Sequence, residues 1–148
     1  MLHFLIRTLP TNLIFFILVV VTNNAFASDE LVSPLQIPGT TKVMSEDIFN
    51  LIEIHPKLLL IDSRITSDRK HGYIEGSVNL PDLKTNCKTL ARLIPTKETP
   101  VLFYCNGVKC GRSVNASKTA LKCGYSKIYW FRGGFEEWKS KNMPFLKN

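Results

Sequence analysis

The stretch that decides the fold is VLFYCNGVKCGRS, residues 101–113, in which four apolar residues lead directly into a cysteine and a polar, glycine-containing loop. A short apolar run followed by turn residues and a helix-length segment, residues 113–122, is typical of a buried parallel strand and its crossover helix. Cys105 therefore stands at the carboxyl end of the predicted strand. Ligands of open α/β sheets collect at that edge, where the amides that open the next helix carry partial positive charge.

Cys105 is the candidate catalytic residue. A thiol at a helix N-terminus, close to Lys109 and Arg112, ionises more easily than free cysteine, whose pKa is about 8.5. The alternative is a small buried core residue, because free cysteine is among the most buried residue types. Its position directly before a basic, glycine-containing loop favours the nucleophile.

Residues 1–27 are predicted to be a secretory signal peptide. A short start containing Arg7 precedes the apolar run 13–21, and Ala25 and Ala27 supply small residues at the cleavage-determining positions. The alternative, an uncleaved membrane anchor, is disfavoured because the run falls well short of the roughly 20 residues that span a bilayer. We therefore expect cleavage after Ala27, a periplasmic or secreted mature protein, and no stable membrane insertion after cleavage.

The chain of 148 residues has room for one domain with a real core. Removing residues 1–27 takes away Arg7 and no acid, which lowers the formal charge from +7 to +6. The basic residues are scattered among acids without a stripe or aromatic interleaving, so a nucleic-acid partner is not predicted. The surplus charge indicates a preference for small anions or a solvated surface.

All four cysteines lie in the mature part of the chain: Cys87, Cys105, Cys110 and Cys123. Export allows disulfides, but the sequence cannot separate the three fully paired connectivities. Cys87 and Cys123 are most simply buried or partly buried thiols, and a disulfide between them is an open alternative. The spacing lacks CxxC pairs and a nearby His, so we predict no metal site, and no cofactor either.

The rest of the chain alternates between strands and helices. Residues 28–40, with Pro34 and Pro38, form a predicted linker or extended lead-in, and the domain occupies residues 41–148. Ser45 is the predicted N-cap of the first helix, and Leu83, Leu90 and Leu93 are core candidates of a helix at 83–93. Strands are predicted at 41–44, 58–61, 77–80, 101–104 and 128–130, and two further helices at 113–122 and 135–141.

This alternation predicts an α/β fold with a mainly parallel sheet, covered by helices on both faces. The chemistry should then gather at one edge of the sheet. Asp62 follows the second strand at that edge and is predicted to support the loop by hydrogen bonding, to loop amides or to Arg64. Trp130, Phe135 and Trp138 are predicted to be core residues.

Four motifs in this order resemble the single-domain rhodanese-like family: LLLIDSR at 58–64, HGYIEGSVNLP at 71–81, the loop after Cys105, and GYSKIYWFRGGFEEW at 124–138. The resemblance covers residues 41–145. It implies a five-stranded parallel sheet flanked by helices and a loop cysteine that carries sulfur as a persulfide.

The loop departs from the family pattern in two ways. In the common short form the Arg-Ser pair begins at the fifth position after the cysteine, and in related phosphatase forms the Arg is sixth. Here Arg112 is seventh, so the loop is longer, and it contains a second cysteine, Cys110. These departures affect the choice of substrate and leave the nucleophile unchanged.

The predicted chemistry is sulfur transfer from thiosulfate or a persulfide donor to a thiol acceptor, either a small molecule or a protein. The small sulfur anion would be bound by the loop backbone, with Gly107 and Gly111 allowing positive φ and close backbone approach, and by two cationic side chains. Arg112 could contact substrate or instead pair with a carboxylate such as Asp62. The predicted substrate-binding residues are Asn106, Gly107, Val108, Lys109, Cys110, Gly111 and Arg112.

Two other functions stay open at this stage. One is a thiol-based oxyanion reductase or phosphatase that uses the long loop and Cys110. The other is a non-catalytic module that binds anions or a protein partner. Cys110 is also a candidate redox partner of Cys105, because a bridge between them needs only that their Cα atoms come within roughly 7 Å.

Overall fold

The computed structural model describes residues 32–147, which form a five-stranded parallel sheet with helices on both faces. The strand order is β1-β5-β4-β2-β3, and every neighbouring pair is parallel. The strands are β1 (Thr41–Val43), β2 (Leu59–Asp62), β3 (Val78–Asn79), β4 (Val101–Tyr104) and β5 (Ile128–Phe131). The α-helices are α1 (Asp47–Ile54), α2 (Cys87–Leu93), α3 (Arg112–Lys122) and α4 (Gly134–Ser140), with 3₁₀ turns at Thr66–His71 and Asp82–Lys84. The predicted fold is confirmed.

Strand β4 is the centre of the molecule, because it pairs with β2 on one side and with β5 on the other. Its four residues are completely buried, as expected for a strand with both faces covered. Alternate side chains enter opposite cores: Phe103 packs with Leu90 and Ala116 on one face, and Leu102 with Ile48 on the other. Burying a side chain of this size stabilises the fold by about 1.5 to 3 kcal/mol, so two cores fix the strand that ends at Cys105.

The predicted helix at 83–93 is wrong in its first half. Residues Asp82–Lys84 form a 3₁₀ turn, and Asn86 then caps α2 by accepting hydrogen bonds from the amides of Lys88 and Thr89, both at 3.0 Å. The Asn86 side chain thus satisfies amides that would otherwise lack partners at the start of the helix. Leu83 is 90% exposed and is no core residue, whereas Leu90 is completely buried.

Ser45 is not the N-cap of α1. The residue before the helix is Glu46, and the buried Ser45 donates its hydroxyl to the Glu46 carboxylate at 3.0 Å. The Ser45 amide is used elsewhere, since it donates to Glu137 of α4 at 2.9 Å. Long-range contact with α4 therefore decides the conformation of this residue.

The described part of the lead-in lies against the domain. Ile37 is 1% exposed and packs with Val114 and Trp130. Arg132, just after β5, donates to the carbonyl oxygens of Ser33 and Pro34 at 2.9 and 2.8 Å. The predicted signal peptide lies outside the described residues. Between residues 32 and 147, no helix combines the length and apolar character needed to cross a membrane.

A disulfide joins Cys87, at the start of α2, to Cys123, just after α3, with Cα atoms 5.4 Å apart. The sequence analysis favoured buried or partly buried thiols for these two residues, and that is wrong: they form a disulfide, and Cys87 is exposed. Both helices pack on the same face of the sheet around Leu90 and Ala120. The bridge therefore ties together two elements that already share a core.

We expect the double variant Cys87→Ala/Cys123→Ala to lose about 4 kcal/mol of unfolding free energy, since the bridge closes a loop with a sequence separation of 36. Denaturant unfolding of both proteins under oxidising conditions measures the difference. Wild-type protein treated with a reductant gives a second comparison without a sequence change, in which the Cys105–Cys110 bridge is lost as well. Equal stability of all three samples would contradict a stabilising role for this bridge.

Candidate active site

Cys105 lies at the carboxyl end of β4, where the sequence predicts it, and it is 1% exposed. The six residues after it form a loop that ends where α3 begins at Arg112. The first turn of α3 is fixed to the sheet, because the indole N–H of Trp130 donates to the Ser113 hydroxyl at 3.0 Å. The cysteine and the amides that open α3 are thus held on two packed elements.

The base of the loop is held by the start of α4. The amide of Phe135 donates to the Cys105 carbonyl at 2.9 Å, and the amide of Glu136 donates to the Asn106 carbonyl at 2.7 Å. Gly134 makes this approach possible, since its φ is +58° and a Cβ there would contact the carbonyl oxygens of Cys105 and Asn106. Position 134 therefore requires glycine for two reasons: its backbone is left-handed, and the neighbouring carbonyl oxygens leave no space for a Cβ.

We expect Gly134→Ala to destabilise the protein by about 1 to 3 kcal/mol more than Gly124→Ala, because only Gly134 also meets fixed backbone atoms. Gly124 is the matched control: its φ is +87°, but a Cβ there meets nothing within 4 Å. Both variants carry the strain of a left-handed alanine, about 1 to 2 kcal/mol. Denaturant unfolding measures the difference, and equal losses would contradict the steric argument.

Cys105 and Cys110 form the second disulfide, with Cα atoms 6.2 Å apart. The loop folds back on itself through a turn in which the Cys110 amide donates to the Gly107 carbonyl at 3.0 Å. This turn brings Cys110 over Cys105. The distance between the Cα atoms meets the condition that the sequence set for bridging.

A cavity of about 500 Å³ opens beside the loop. Six of the predicted binding residues line it: Asn106, Gly107, Lys109, Cys110, Gly111 and Arg112. Val108 does not line it and instead accepts a hydrogen bond from the Ser33 amide at 2.6 Å. Asn115 and Glu136 also line the cavity and were not predicted. Glu136 reaches it because α4 returns to the sheet edge where β4 ends, a contact that local sequence pattern does not contain.

The loop glycines do not use the positive φ that the sequence analysis allowed them. Neither Gly107 nor Gly111 has a positive φ, and Gly111 precedes α3 with φ −81°. A Cβ on Gly107 would meet the carboxylate of Glu136, while one on Gly111 would meet nothing within 4 Å. The absence of a side chain at Gly107 therefore allows a close approach of α4, and the loop turns without left-handed residues.

Arg112 does not pair with Asp62. Its Nη1 lies 3.9 Å from the Cys110 sulfur, and its Nε lies 3.9 Å from a carboxylate oxygen of Asp82. Asp82 in turn accepts a hydrogen bond from Asn115 at 3.0 Å. Arg112 does pair with a carboxylate, but with Asp82 instead of Asp62, which other arginines surround, and it also lines the cavity.

Asp62 is completely buried beneath the loop rather than in the cavity. Its carboxylate accepts from Nε and Nη2 of Arg64 at 2.8 and 2.6 Å, from Arg69 at 3.3 Å and from the Tyr104 hydroxyl at 3.0 Å. Burial opposes the charged form of Arg64, but the hydrogen bonds and charge of Asp62 outweigh it and raise the Arg64 pKa. Burial and the Asp62 charge raise the pKa of Tyr104, which remains a neutral donor.

We expect Asp62→Asn to lower the unfolding free energy by about 3 to 5 kcal/mol, because it leaves the buried Arg64 guanidinium without its counter-charge. The control is Glu46→Gln, which removes a 2.8 Å pair with Lys141 at the surface, where both side chains are 52% exposed. Hydrogen bonding to Lys141 is the main cause that lowers the Glu46 pKa to about 2, yet solvent screens this pair. Denaturant unfolding at neutral pH compares the variants, and similar stabilities would show that the buried pair contributes no more than the exposed one.

A second cavity of about 400 Å³ adjoins the first and shares Asn106 and Glu136 with it. Its other lining residues are Arg64, Asp68, His71, Phe135 and Lys139. Phe135 is 5% exposed, so it is a core residue as predicted and also forms part of this wall. Between residues 32 and 147, no three His, Cys, Asp or Glu side chains are grouped so that they could hold a metal ion.

Comparison with known proteins agrees with this architecture. The chain is 32% identical over 101 residues to thiosulfate sulfurtransferase GlpE of Tolumonas auensis, covering 67% of this chain and 88% of that protein. It is 27% identical over 101 residues to an uncharacterized protein of Buchnera aphidicola, covering 67% of this chain and 66% of that protein. The chain thus spans just under two thirds of the Buchnera protein.

Among solved structures, the BH2092 protein of Bacillus halodurans superposes with a TM-score of 0.65 at 23% identity, covering 73% of this chain and 77% of that one. At this identity the likeness concerns the fold. The family model described as the rhodanese-like domain matches residues 47–141, which include every strand except β1 and all four helices. The chain belongs to the rhodanese-like domain family.

Proposed function

We propose that this protein is a sulfurtransferase, which moves sulfane sulfur from thiosulfate or a persulfide donor to a thiol acceptor through a persulfide on Cys105. The observation that carries the proposal is the position of Cys105, directly after β4 and at the base of a loop that leads into α3. The amides at the start of α3 and the cations Lys109 and Arg112 favour a thiolate over a thiol.

The transfer has two steps and needs no general base once Cys105 is ionised. The Cys105 thiolate attacks the outer sulfur of thiosulfate, the sulfur–sulfur bond of thiosulfate breaks, and sulfite leaves with the electron pair. An acceptor thiolate then attacks the outer sulfur of the persulfide, and Cys105 leaves as a thiolate. Lys109 and Arg112 line the cavity in which the anion would be bound.

The disulfide with Cys110 means that the first transfer requires reduction, because a bonded sulfur is no nucleophile. Cys105 itself lines neither cavity beside the loop, whereas its bonded partner Cys110 lines the larger of the two. Reduction would free the Cys110 side chain to move and would expose the Cys105 sulfur to the anion.

The similarity to a protein named as a thiosulfate sulfurtransferase supports this choice of substrate class. Export is a separate proposal that rests on residues 1–27. An exported chain meets oxidising conditions, so its active form would depend on a supply of reducing equivalents in that compartment.

Mass spectrometry of reduced protein treated with thiosulfate tests the proposal directly. We expect one added sulfur on the peptide that contains Cys105, release of sulfite, and neither product from Cys105→Ser. Sulfur found on another cysteine, or equal sulfite release by Cys105→Ser, would refute the assignment. A protein that binds thiosulfate without releasing sulfite would instead fit the anion-binding module.

The cationic part of the site can be tested with two substitutions on α3. We expect Arg112→Ala to slow sulfite release about tenfold, since a charge-assisted contact contributes about 1.5 to 3 kcal/mol. The matched control is Lys118→Ala, which removes an exposed cation on the same helix that does not line the cavity. The same loss in both variants would show that general charge, rather than Arg112, attracts the anion.

A further inference from the structure

We propose that Cys110 resolves the Cys105 persulfide, so that the protein reduces the sulfane sulfur it accepts to hydrogen sulfide and ends as the Cys105–Cys110 disulfide. This inference rests on the proposed function, because it begins from the persulfide. It adds a second activity, the dithiol-dependent reduction of thiosulfate to sulfite and sulfide, to simple transfer.

The geometry of the loop places the two sulfurs within bonding reach. The Cα atoms of Cys105 and Cys110 are 6.2 Å apart, inside the range of about 4.4 to 6.8 Å usual for disulfides. The turn closed by the Cys110 amide and the Gly107 carbonyl sets this approach. Cys110 can therefore attack a sulfur on Cys105 without unfolding of the strand or of α3.

The base and the tip of the loop are anchored, which favours this internal reaction over attack by a free thiol. The α4 amides hold the carbonyls of Cys105 and Asn106, and the Ser33 amide holds the Val108 carbonyl at 2.6 Å. A nucleophile kept this close acts at a high effective concentration. An external acceptor must instead diffuse into the cavity and bind.

The charges around Cys110 favour its thiolate. Nη1 of Arg112 lies 3.9 Å from the Cys110 sulfur, and Nε of the same guanidinium lies 3.9 Å from a carboxylate oxygen of Asp82. A thiolate beside a guanidinium is more populated at neutral pH than an isolated one. Cys110 is thus equipped to attack the persulfide on Cys105.

The resolving step balances without an added oxidant. The Cys110 thiolate attacks the inner sulfur of the persulfide, which is the Sγ of Cys105. A bond forms between the two Sγ atoms, the bond from Cys105 Sγ to the outer sulfur breaks, and the outer sulfur leaves as hydrosulfide with the electron pair and its proton. Over both steps the two cysteine thiols are oxidised to a disulfide, and the sulfane sulfur is reduced to sulfide.

Completion of the cycle requires a dithiol reductant, and the exposure of the two sulfurs decides where it attacks. Cys105 is 1% exposed, whereas Cys110 is partly exposed and lines the larger cavity. The first thiolate of the reductant therefore attacks Cys110, and Cys105 leaves as a thiolate. The second thiol of the reductant then releases Cys110, which yields an oxidised reductant and a chain ready for another thiosulfate.

A single-turnover experiment on the full chain tests the inference. Protein reduced with a dithiol and freed of it is mixed with thiosulfate without oxygen, and sulfite, sulfide and protein mass are followed. We expect equal amounts of sulfite and sulfide from wild type, with a disulfide mapped between Cys105 and Cys110. Cys110→Ser should release sulfite, accumulate the Cys105 persulfide and produce at least tenfold less sulfide.

The two proposals fail in different ways. A wild-type protein that releases sulfite and keeps a stable persulfide without sulfide overturns the resolving role and leaves sulfur transfer standing. Absence of sulfite overturns both. Sulfide could also be released by oxidation of the other cysteine pair. If Cys87 and Cys123 become bonded while Cys105 and Cys110 stay reduced, the inference is overturned. These outcomes are read on wild type, so they hold even if the Cys110 variant does not fold, and Cys110→Ala provides a second replacement.

Discussion

The buried carboxylate of Asp62 organises the edge of the sheet on which the site is built. It ends β2, accepts hydrogen bonds from Arg64, Arg69 and the hydroxyl of Tyr104, and has no exposed surface. Removal of a carboxylate from water is compensated only when charged and polar donors surround it. Three separate segments therefore meet here: the end of β2, the 3₁₀ turn that contains Arg69, and the end of β4.

The loop that follows Cys105 is then supported from independent directions. Amides of α4 hold the carbonyls at its base, the Ser33 amide holds its tip, and Ser113 attaches α3 to Trp130 of β5. The longer loop does not form an open cradle of left-handed glycines. It forms a turn that brings Cys110 back to Cys105. The loop can therefore be two residues longer than the common short form of the family while Cys105 keeps its position at the end of β4.

The sequence was sufficient to predict the elements that are determined by local pattern. It was not sufficient for features that are determined by contacts between distant parts of the chain. Apolar runs located β2, β4 and β5, and the position of Cys105 followed from β4 alone. The predicted start of α2 at Leu83 was wrong, because the spacing of apolar residues gives no information on the side-chain cap at Asn86 that begins the helix. Glu136 was missed because the return of α4 to the loop is a tertiary contact, which also leaves no room for a Cβ at Gly107.

The two disulfides differ in what the fold loses when each is reduced. The Cys87–Cys123 bridge has a sequence separation of 36, whereas Cys105 and Cys110 are separated by 5. Loop-closure entropy assigns about 4 kcal/mol to the first and about 2 kcal/mol to the second. The loop closed by the short bridge is also held by hydrogen bonds that do not depend on the bridge. These come from α4 and Ser33 to the loop carbonyls and from Trp130 to Ser113 of α3. The domain can therefore open and close the Cys105–Cys110 bond while its core stays folded, a condition that any repeated chemistry at these two sulfurs must meet.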